Sequence, residues 1–438
     1  MSSFNNKNNN EQNSGQLKKF LKVIKWFYPG LKVKRWVTLL LAGFFLMLFG
    51  VYHFGRDTSL LLKIFDALLS FFAFIAFFAG FKSLIKSFFE VIFPQKNKEL
   101  IDIIYEKRFL LKGPKIVAVG GGTGLSTILE GLKEYTANIT AIVAVADEGG
   151  SSGRLREEFG ILPPGDIRNC LVSLAEAPRL MRELFQYRFK EGDGIKGHSF
   201  GNLFITAMTQ ITGSFEEAIE ESSKVLAITG RVIPSSLDKI RLRAEYTDGT
   251  VKEGEDKIPV AGKLIKRVSL IPQDVKPNPK AIEAIRAAEI IILGPGSIFT
   301  SIIPNILIEQ IKEEIFRKCV LKVYICNVMT QPGEADGFTA ADHFEAILAH
   351  SKRSIANCCL INSGRLEYEL LLKYAQEKSF PVILDRERLK KMGVMVFEAD
   401  IVSKSNYLRH DSARTAKEIM NIYNYGKKRW KRLSVKLS

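Results

Sequence analysis

Two clusters of glycine and small hydroxyl residues, each straight after an apolar run, hold the residue types best suited to chemistry. The first is Gly120-Gly121-Gly122-Thr123-Gly124, after residues 115–119. The second is Asp147-Glu148-Gly149-Gly150-Ser151-Ser152-Gly153-Arg154, after residues 139–146. The run from Ile116 to Val119 is apolar throughout, as in a strand buried on both faces, and helical periodicity follows from Ser126 to Tyr135. A strand turning through glycines into a helix gathers bare backbone N–H groups at the positive end of the helix dipole. Phosphate binds well there. The turn is not a Walker loop, because no Gly-Lys-Ser/Thr follows, and it lacks G-x-G-x-x-G spacing. Alone it reads equally as a tight strand-to-helix turn. The second cluster favours a ligand site.

Two further runs have the same character. Gly294-Pro295-Gly296-Ser297-Ile298-Phe299-Thr300-Ser301 follows the apolar run 289–293, and Asn327-Val328-Met329-Thr330-Gln331-Pro332-Gly333-Glu334 follows 320–326. Active groups in open α/β sheets collect at the carboxyl ends of strands. Backbone amides and hydroxyls recur in all four loops while lysine is scarce, which suits a diphosphate held by neutral donors. Gly294, Gly296, Ser297 and Asn327 join the candidate contacts.

Three polar segments lie elsewhere. Pro163-Pro164-Gly165-Asp166-Ile167-Arg168-Asn169 offers an acid, a base and an amide to a ligand; alternatively Asp166 caps a helix with Arg168 as its exposed partner. In Gly197-His198-Ser199-Phe200-Gly201-Asn202, His198 and Asn202 could contact a ligand, or His198 could cap the helix. In Arg409-His410-Asp411, Asp411 suits an N-cap, and Arg409 could read phosphates bidentately. Asp147 with Glu148 could hold a hard cation, or Asp147 could contact a ribose or base. No spacing suggests a Ser–His–Asp or Cys–His arrangement.

These loops need a sheet to position them. Strands are predicted at 115–119, 139–146, 289–293, 320–326 and 357–362. Helices are predicted at 124–135, 200–212, 215–228, 279–288, 304–317, 340–350 and 411–423. The alternation argues for a Rossmann-like α/β domain with a largely parallel sheet. Residues 239–272, with turn signals at Asp248-Gly249, read as an inserted antiparallel β-meander. Cys319, Cys326, Cys358 and Cys359 lie in or beside apolar runs and are expected to be buried, reduced thiols. No cysteine spacing suggests zinc.

The formal net charge is +16, but its distribution matters more. Residues 1–112 hold 17 Lys/Arg against 7 Asp/Glu, and the tail after Tyr425 holds 6 basic residues and no acid. The body between is neutral, so nucleic acid is not the expected partner. Basic ends beside apolar segments suit an anionic membrane surface instead. Residues 1–17 have a disordered composition. Trp36–Gly55 carries no charged residue, and a second apolar stretch runs over Ser59–Phe81. Twenty helical residues span about 30 Å, a bilayer's hydrocarbon core. Basic residues flank the pair while the intervening loop offers only Arg56 and Asp57, so both ends of this hairpin are expected in the cytoplasm. The expected division is 18–112 as anchor and linker, 113–425 as the α/β domain and 426–438 as basic tail.

Taken together, GGGTGLS, ADEGGSSGRLR, PPGDIRN, GHSFGN, GPGSIFTSIIPN, MTQPGE and a late Arg-His-Asp resemble the CofD/YvcK family in order and wording. The match is closer to its gluconeogenesis-factor branch than to the 2-phospho-L-lactate transferases. That resemblance implies that the α/β domain 113–425 is a nucleotide-sugar-binding domain, with a UDP-sugar ligand, UDP-N-acetylglucosamine in particular, and a role in cell shape and cell-wall precursor supply during gluconeogenic growth. By motif position it puts ligand contacts at Gly120–Gly124, Asp147 and Arg409. The transferase branch implies the alternative, a phosphoryl- or nucleotidyl-group transferase using Mg²⁺, with Asp147 as its candidate catalytic acid. Expected protein partners are an enzyme of amino-sugar synthesis and a second copy of this chain. The branch usually has Asp where Glu148 stands, and Tyr where Phe299 stands.

Overall fold

A computed structural model describes residues 33–56, 59–92, 108–403 and 407–436. The chain divides into two compact units, Met1–Asp102 and Ile103–Ser438. The predicted disordered stretch 1–17 lies outside the described residues.

The first unit contains α1 (Val33–Phe54) and α2 (Leu60–Ile92). Each is long and apolar enough to cross a membrane. They pack through glycines: a Cβ on Gly43 would lie 2.7 Å from Phe77 N, and one on Gly80 would lie 3.0 Å from Leu40 N. Small residues let helix backbones approach in this way where no hydrophobic effect drives them together. Phe45, Phe49, Leu61 and Phe72 point outward and are exposed.

In the second unit, β1 (Ile116–Gly120), α3 (Gly122–Leu132), β2 (Ile139–Val143), α4 (Gly150–Phe159), α5 (Gly165–Leu174), α6 (Arg179–Gln186), α7 (Phe200–Thr212), α8 (Phe215–Val225) and β3 (Arg231–Pro234) form the first half. The insertion holds β4 (Arg241–Tyr246), β5 (Val251–Glu253) and β6 (Ile265–Ile271). The second half begins with α9 (Pro279–Ala287), β7 (Ile290–Leu293), a π-helical turn (Ile298–Ile302), α10 (Ile303–Ile306), α11 (Glu309–Arg317) and β8 (Leu321–Ile325). It ends with α12 (Ala340–Ser351), β9 (Cys358–Asn362), α13 (Tyr368–Gln376), α14 (Arg386–Lys391), β10 (Met395–Ala399) and α15 (Ser412–Lys436).

The large sheet has the order β10-β9-β8-β7-β1-β2-β3, with every pairing parallel. Every residue of β1, β2, β7 and β8 is buried, which is why these runs are mostly apolar rather than alternating, with Thr140 and Lys322 as buried polar exceptions. The first half grows outward from β1 on one side, and the second from β7 on the other. The order reverses between them, which makes this boundary a topological switch point, where ligands bind in such sheets.

Several elements differ from the predicted ones. The stretch 304–317 splits because Ile308 is extended (ψ 107°), ending α10 before α11 begins. The insertion has the order β5-β4-β6, so β4 is central and β6 returns past the β4–β5 hairpin; it is not a sequential meander. The final helix runs on to Lys436, well beyond the predicted end at 423. β3 and β10 were not anticipated, being four residues long and half-exposed respectively, both at sheet edges. Cys319 is exposed rather than buried, in the turn before β8.

Candidate functional site

The four glycine- and hydroxyl-bearing loops follow β1, β2, β7 and β8, which are consecutive in the sheet. They therefore share one carboxyl edge. The loops after β1 and β7 touch: a Cβ on Gly124 would lie 2.5 Å from the Pro295 carbonyl oxygen. Between these loops and the one after β8 opens a crevice of about 410 Å³, lined by Thr123, Gly124, Gly296, Asn327 and Arg409 among others. That volume falls within the usual range for small-molecule sites. On its rim, the exposed Arg409 guanidinium lies 5.1 Å from the Tyr407 ring centroid, and Lys373 Nζ lies 5.3 Å from it. Neither Lys373 nor Tyr407 stood out in sequence, because α13 was not anticipated and nothing local ties it to this edge.

Asn327 clamps the β7 loop, accepting from Gly296 N at 3.1 Å and donating to its carbonyl at 2.9 Å. Ser297 Oγ accepts from Thr300 N and pairs with the Glu334 carboxylate. Both side chains are thus occupied in shaping the loop. The predicted Tyr-to-Phe difference has no consequence here, since Phe299 is buried against Phe338 and His350. His410 is also buried, its Nε2 3.1 Å from the Cys326 carbonyl, and burial pulls its pKa down to about 4. It is neutral at physiological pH. Asp411 caps α15, accepting from Arg414 N at 2.8 Å.

On the other side of β1, three motifs far apart in sequence are joined by buried hydrogen bonds. Ser151 Oγ lies 3.0 Å from His198 Nδ1 and accepts from Asn202 Nδ2 at 3.0 Å. Asn202 Oδ1 accepts from Arg168 at 3.0 Å, while Arg168 also donates to Ser199 Oγ and to Asn169 Oδ1. Ser152 Oγ accepts from Gly165 N at 3.1 Å. Gly165 is required by this closeness: a Cβ there would lie 2.3 Å from Ser152 Oγ and 3.0 Å from Asp147 Oδ2. Arg168 is 7% exposed, so it is not a solvated partner of Asp166. Ser199, not His198, caps α7, accepting from Asn202 N. Burial and the nearby Arg154 lower the His198 pKa, keeping its imidazole neutral. Arg154 itself is exposed and donates to the Lys196 carbonyl. Asn169 faces a separate depression beside α6.

Asp166 stands between the two sides. Its carboxylate accepts from Gly122 N, and a Cβ on Gly121 would lie 2.5 Å from its Oδ2. The start of α3 is therefore already faced by an acid, which the phosphate reading of the glycine turn did not foresee. Burial first, and Asp147 second, push the Asp166 pKa up to about 7. Burial and Asp147 likewise push Glu255 up to about 8, and burial pushes Glu334 up to about 7. Glu255 and Glu334 share the Thr300 hydroxyl. Glu255 comes from the inserted sheet, just after β5, a placement no local signal reveals. Gly149 N donates to Asp147 Oδ1 at 2.9 Å, and Gly150 sits exposed at φ +48°. Gly294, at φ +78°, starts the β7 loop.

The structure parts the two acids proposed for a cation. Glu148 is paired with Arg241 at 3.1 Å and Arg156 at 3.6 Å. Among the described residues, no three His, Cys, Asp or Glu side chains converge as a metal site. Glu148 is thus engaged by arginines rather than set beside Asp147 for a cation.

A parallel, doubly covered sheet with a glycine-lined crevice at its switch point defines a Rossmann-like α/β protein. The comparisons narrow this. The family described as 2-phospho-L-lactate transferase CofD matches residues 116–402. A "Gluconeogenesis factor" of Bacillus subtilis is 49% identical over 310 residues, covering 70% of this chain and 98% of the relative. A relative from Nostoc sp. is 45% identical over 420 residues, covering 91% of this chain and 92% of its own. A crystal structure of a Bacillus halodurans protein superposes with a TM-score of 0.69 at 49% identity, covering 70% of this chain and all of that one. The chain belongs to the CofD family, and its relatives carry the gluconeogenesis-factor name.

Proposed function

We propose that the body binds a UDP-sugar, UDP-N-acetylglucosamine in particular, in the switch-point crevice. In this reading the protein acts as a gluconeogenesis factor supporting cell-wall precursor supply and cell shape, through a partner enzyme of amino-sugar synthesis. The carrying observation is the crevice: a floor of glycine turns, with Arg409 and Lys373 on its rim. Amide donors suit a diphosphate, and a guanidinium adds charge-assisted bonds. Calorimetry on a fragment beginning at Ile103 should detect UDP-N-acetylglucosamine in preference to free sugar, GDP or NAD. Arg409→Ala should weaken that binding by about 1.5–3 kcal/mol, the worth of a charge-assisted hydrogen bond. No preference for the UDP-sugar would sink the proposal.

A second reading, group transfer, draws on the buried carboxyls of Asp166, Glu255 and Glu334 around Asp147. Phosphorus NMR of the protein with UDP-sugar, GTP and Mg²⁺ decides it. Turnover lost in Asp147→Asn would favour the transferase.

We further propose that α1 and α2 form a transmembrane hairpin, with the body in the cytoplasm. Their lengths of 22 and 33 residues and the charge asymmetry of the flanks support this. Full-length protein should stay in the membrane fraction through high-salt and alkaline washes. Release by salt alone would refute the span.

A further inference from the structure

A second cavity, of about 530 Å³, lies at the end of the sheet opposite the crevice. It opens under the strand starts, between Leu321, Cys358, Met395 and Phe397. Ile422 and Tyr425 of α15 close its other side. Its lining is predominantly apolar, and Met395 and Tyr425 are exposed at 44% and 59%. An apolar cavity of this size with exposed aromatic and thioether walls is unusual for a surface with no partner.

Two features of the body meet at the same place. Glu289 accepts from Lys115 N at 3.0 Å, where the chain enters β1, and from Tyr423 OH at 3.0 Å. The entry of the chain into the sheet and the passage of α15 are thus tied at one carboxylate beside the cavity. α15 begins at the opposite, carboxyl edge, next to His410 on the Cys326 carbonyl, and so traverses the sheet before reaching Glu289. It then continues as helix to Lys436, about 20 Å beyond Tyr423 at 1.5 Å per residue. That extension contains Lys427, Lys428, Arg429, Lys431, Arg432, Lys436 and Trp430, and no acid.

We propose that this end of the body is a binding site for an anionic glycerophospholipid, with an acyl chain in the apolar cavity and its phosphate at the rim, where Lys427 lines the cavity. Charge complementarity selects the occupant. A free hydrocarbon would have no use for a lysine at the cavity rim followed in sequence by five further basic residues, and a soluble polyanion would have none for the cavity. Among the described residues Glu289 is the one acid of the cavity lining, and its carboxylate is already engaged by the Lys115 amide and the Tyr423 hydroxyl. The site is independent of the crevice, which lies at the other sheet edge.

The Ile103–Ser438 unit is compact on its own, and the B. halodurans protein has this fold over its entire chain without further domains. It can therefore be tested without the hairpin. Vesicles of phosphatidylcholine with and without phosphatidylglycerol, some carrying a photoactivatable acyl chain, serve as the probe. At least tenfold more protein should sediment with the phosphatidylglycerol vesicles, and acyl cross-links should map to the peptides around Met395–Phe397 and Tyr423–Tyr425. Lysophosphatidylglycerol should compete for those cross-links. Met395→Trp, filling the cavity mouth, should abolish them while leaving vesicle sedimentation and UDP-sugar binding intact; the competition arm stands if that variant does not fold. Equal sedimentation with both vesicle types, cross-links confined to residues beyond Gly426, or protection of Met395 by self-association would each overturn the proposal.

Discussion

Replacing Arg168 with alanine is expected to destabilise the body by about 3 kcal/mol and to weaken ligand binding at least tenfold. The guanidinium is buried and donates to Ser199, Asn202 and Asn169, three acceptors from two segments of the chain. Removing it leaves buried acceptors without donors, each costing about 1–3 kcal/mol, partly recovered by relaxation. It also removes a cation whose guanidinium favours the charged form of Asp166. The damage does not stay local. Asn202 holds Ser151, which in turn meets His198, so the loop after β2 loses its support. Arg168→Lys should not rescue it, because one ammonium cannot reproduce a planar fork bonded in three directions. Chemical denaturation of the Ile103–Ser438 unit and calorimetry with UDP-N-acetylglucosamine measure the two effects. A variant with unchanged stability would show that the network is incidental.

What could be read in the sequence, and what could not, divides by the range of the signal. The four strand-end loops were legible because each strand is mostly apolar and each loop begins in glycine or small polar residues within a few positions. Their adjacency followed from parallel topology alone. The helix 200–212 has the predicted bounds, since Ser199 caps it and Gly213 ends it in the left-handed region at φ +74°. Arg168 misled for a different reason. A charged residue two positions after a plausible cap looks solvated, and only α7 packing across α5 buries it. The same holds for Ser151 and His198, 47 residues apart, and for Glu255, delivered from an insertion that otherwise reads as a plain antiparallel sheet. Glu148 shows the converse. Its neighbour Asp147 turns inward, whereas Arg241 of the insertion draws Glu148 away.

The second large effect is on pH. The body should lose about 2–4 kcal/mol of stability between pH 6.5 and 8.5. Asp166 and Glu334 titrate near 7 and Glu255 near 8 in the folded state, against about 4 for unfolded carboxyls. Between these values the folded protein holds protons that the unfolded chain has released. Stability therefore rises as pH falls through this window and is lost as pH rises through 7–8. The buried histidines act oppositely but lower down. Burial holds His198, His343 and His350 below the usual imidazole value and His410 at about 4, so they cost stability only as pH falls below about 6.5. One pKa unit corresponds to about 1.4 kcal/mol, and the three acids interact, so the expected loss is far below the sum of their separate shifts. Urea denaturation at the two pH values tests the direction, and Glu255→Gln with Glu334→Gln should flatten the slope without abolishing it, since Asp166 remains. UDP-sugar affinity should weaken over the same interval, because a diphosphate near the start of α3 would meet Asp166 in its charged form. Stability that stays level or increases from pH 6.5 to 8.5 would mean these carboxyls are solvated rather than buried, and the site would then be an open acidic surface.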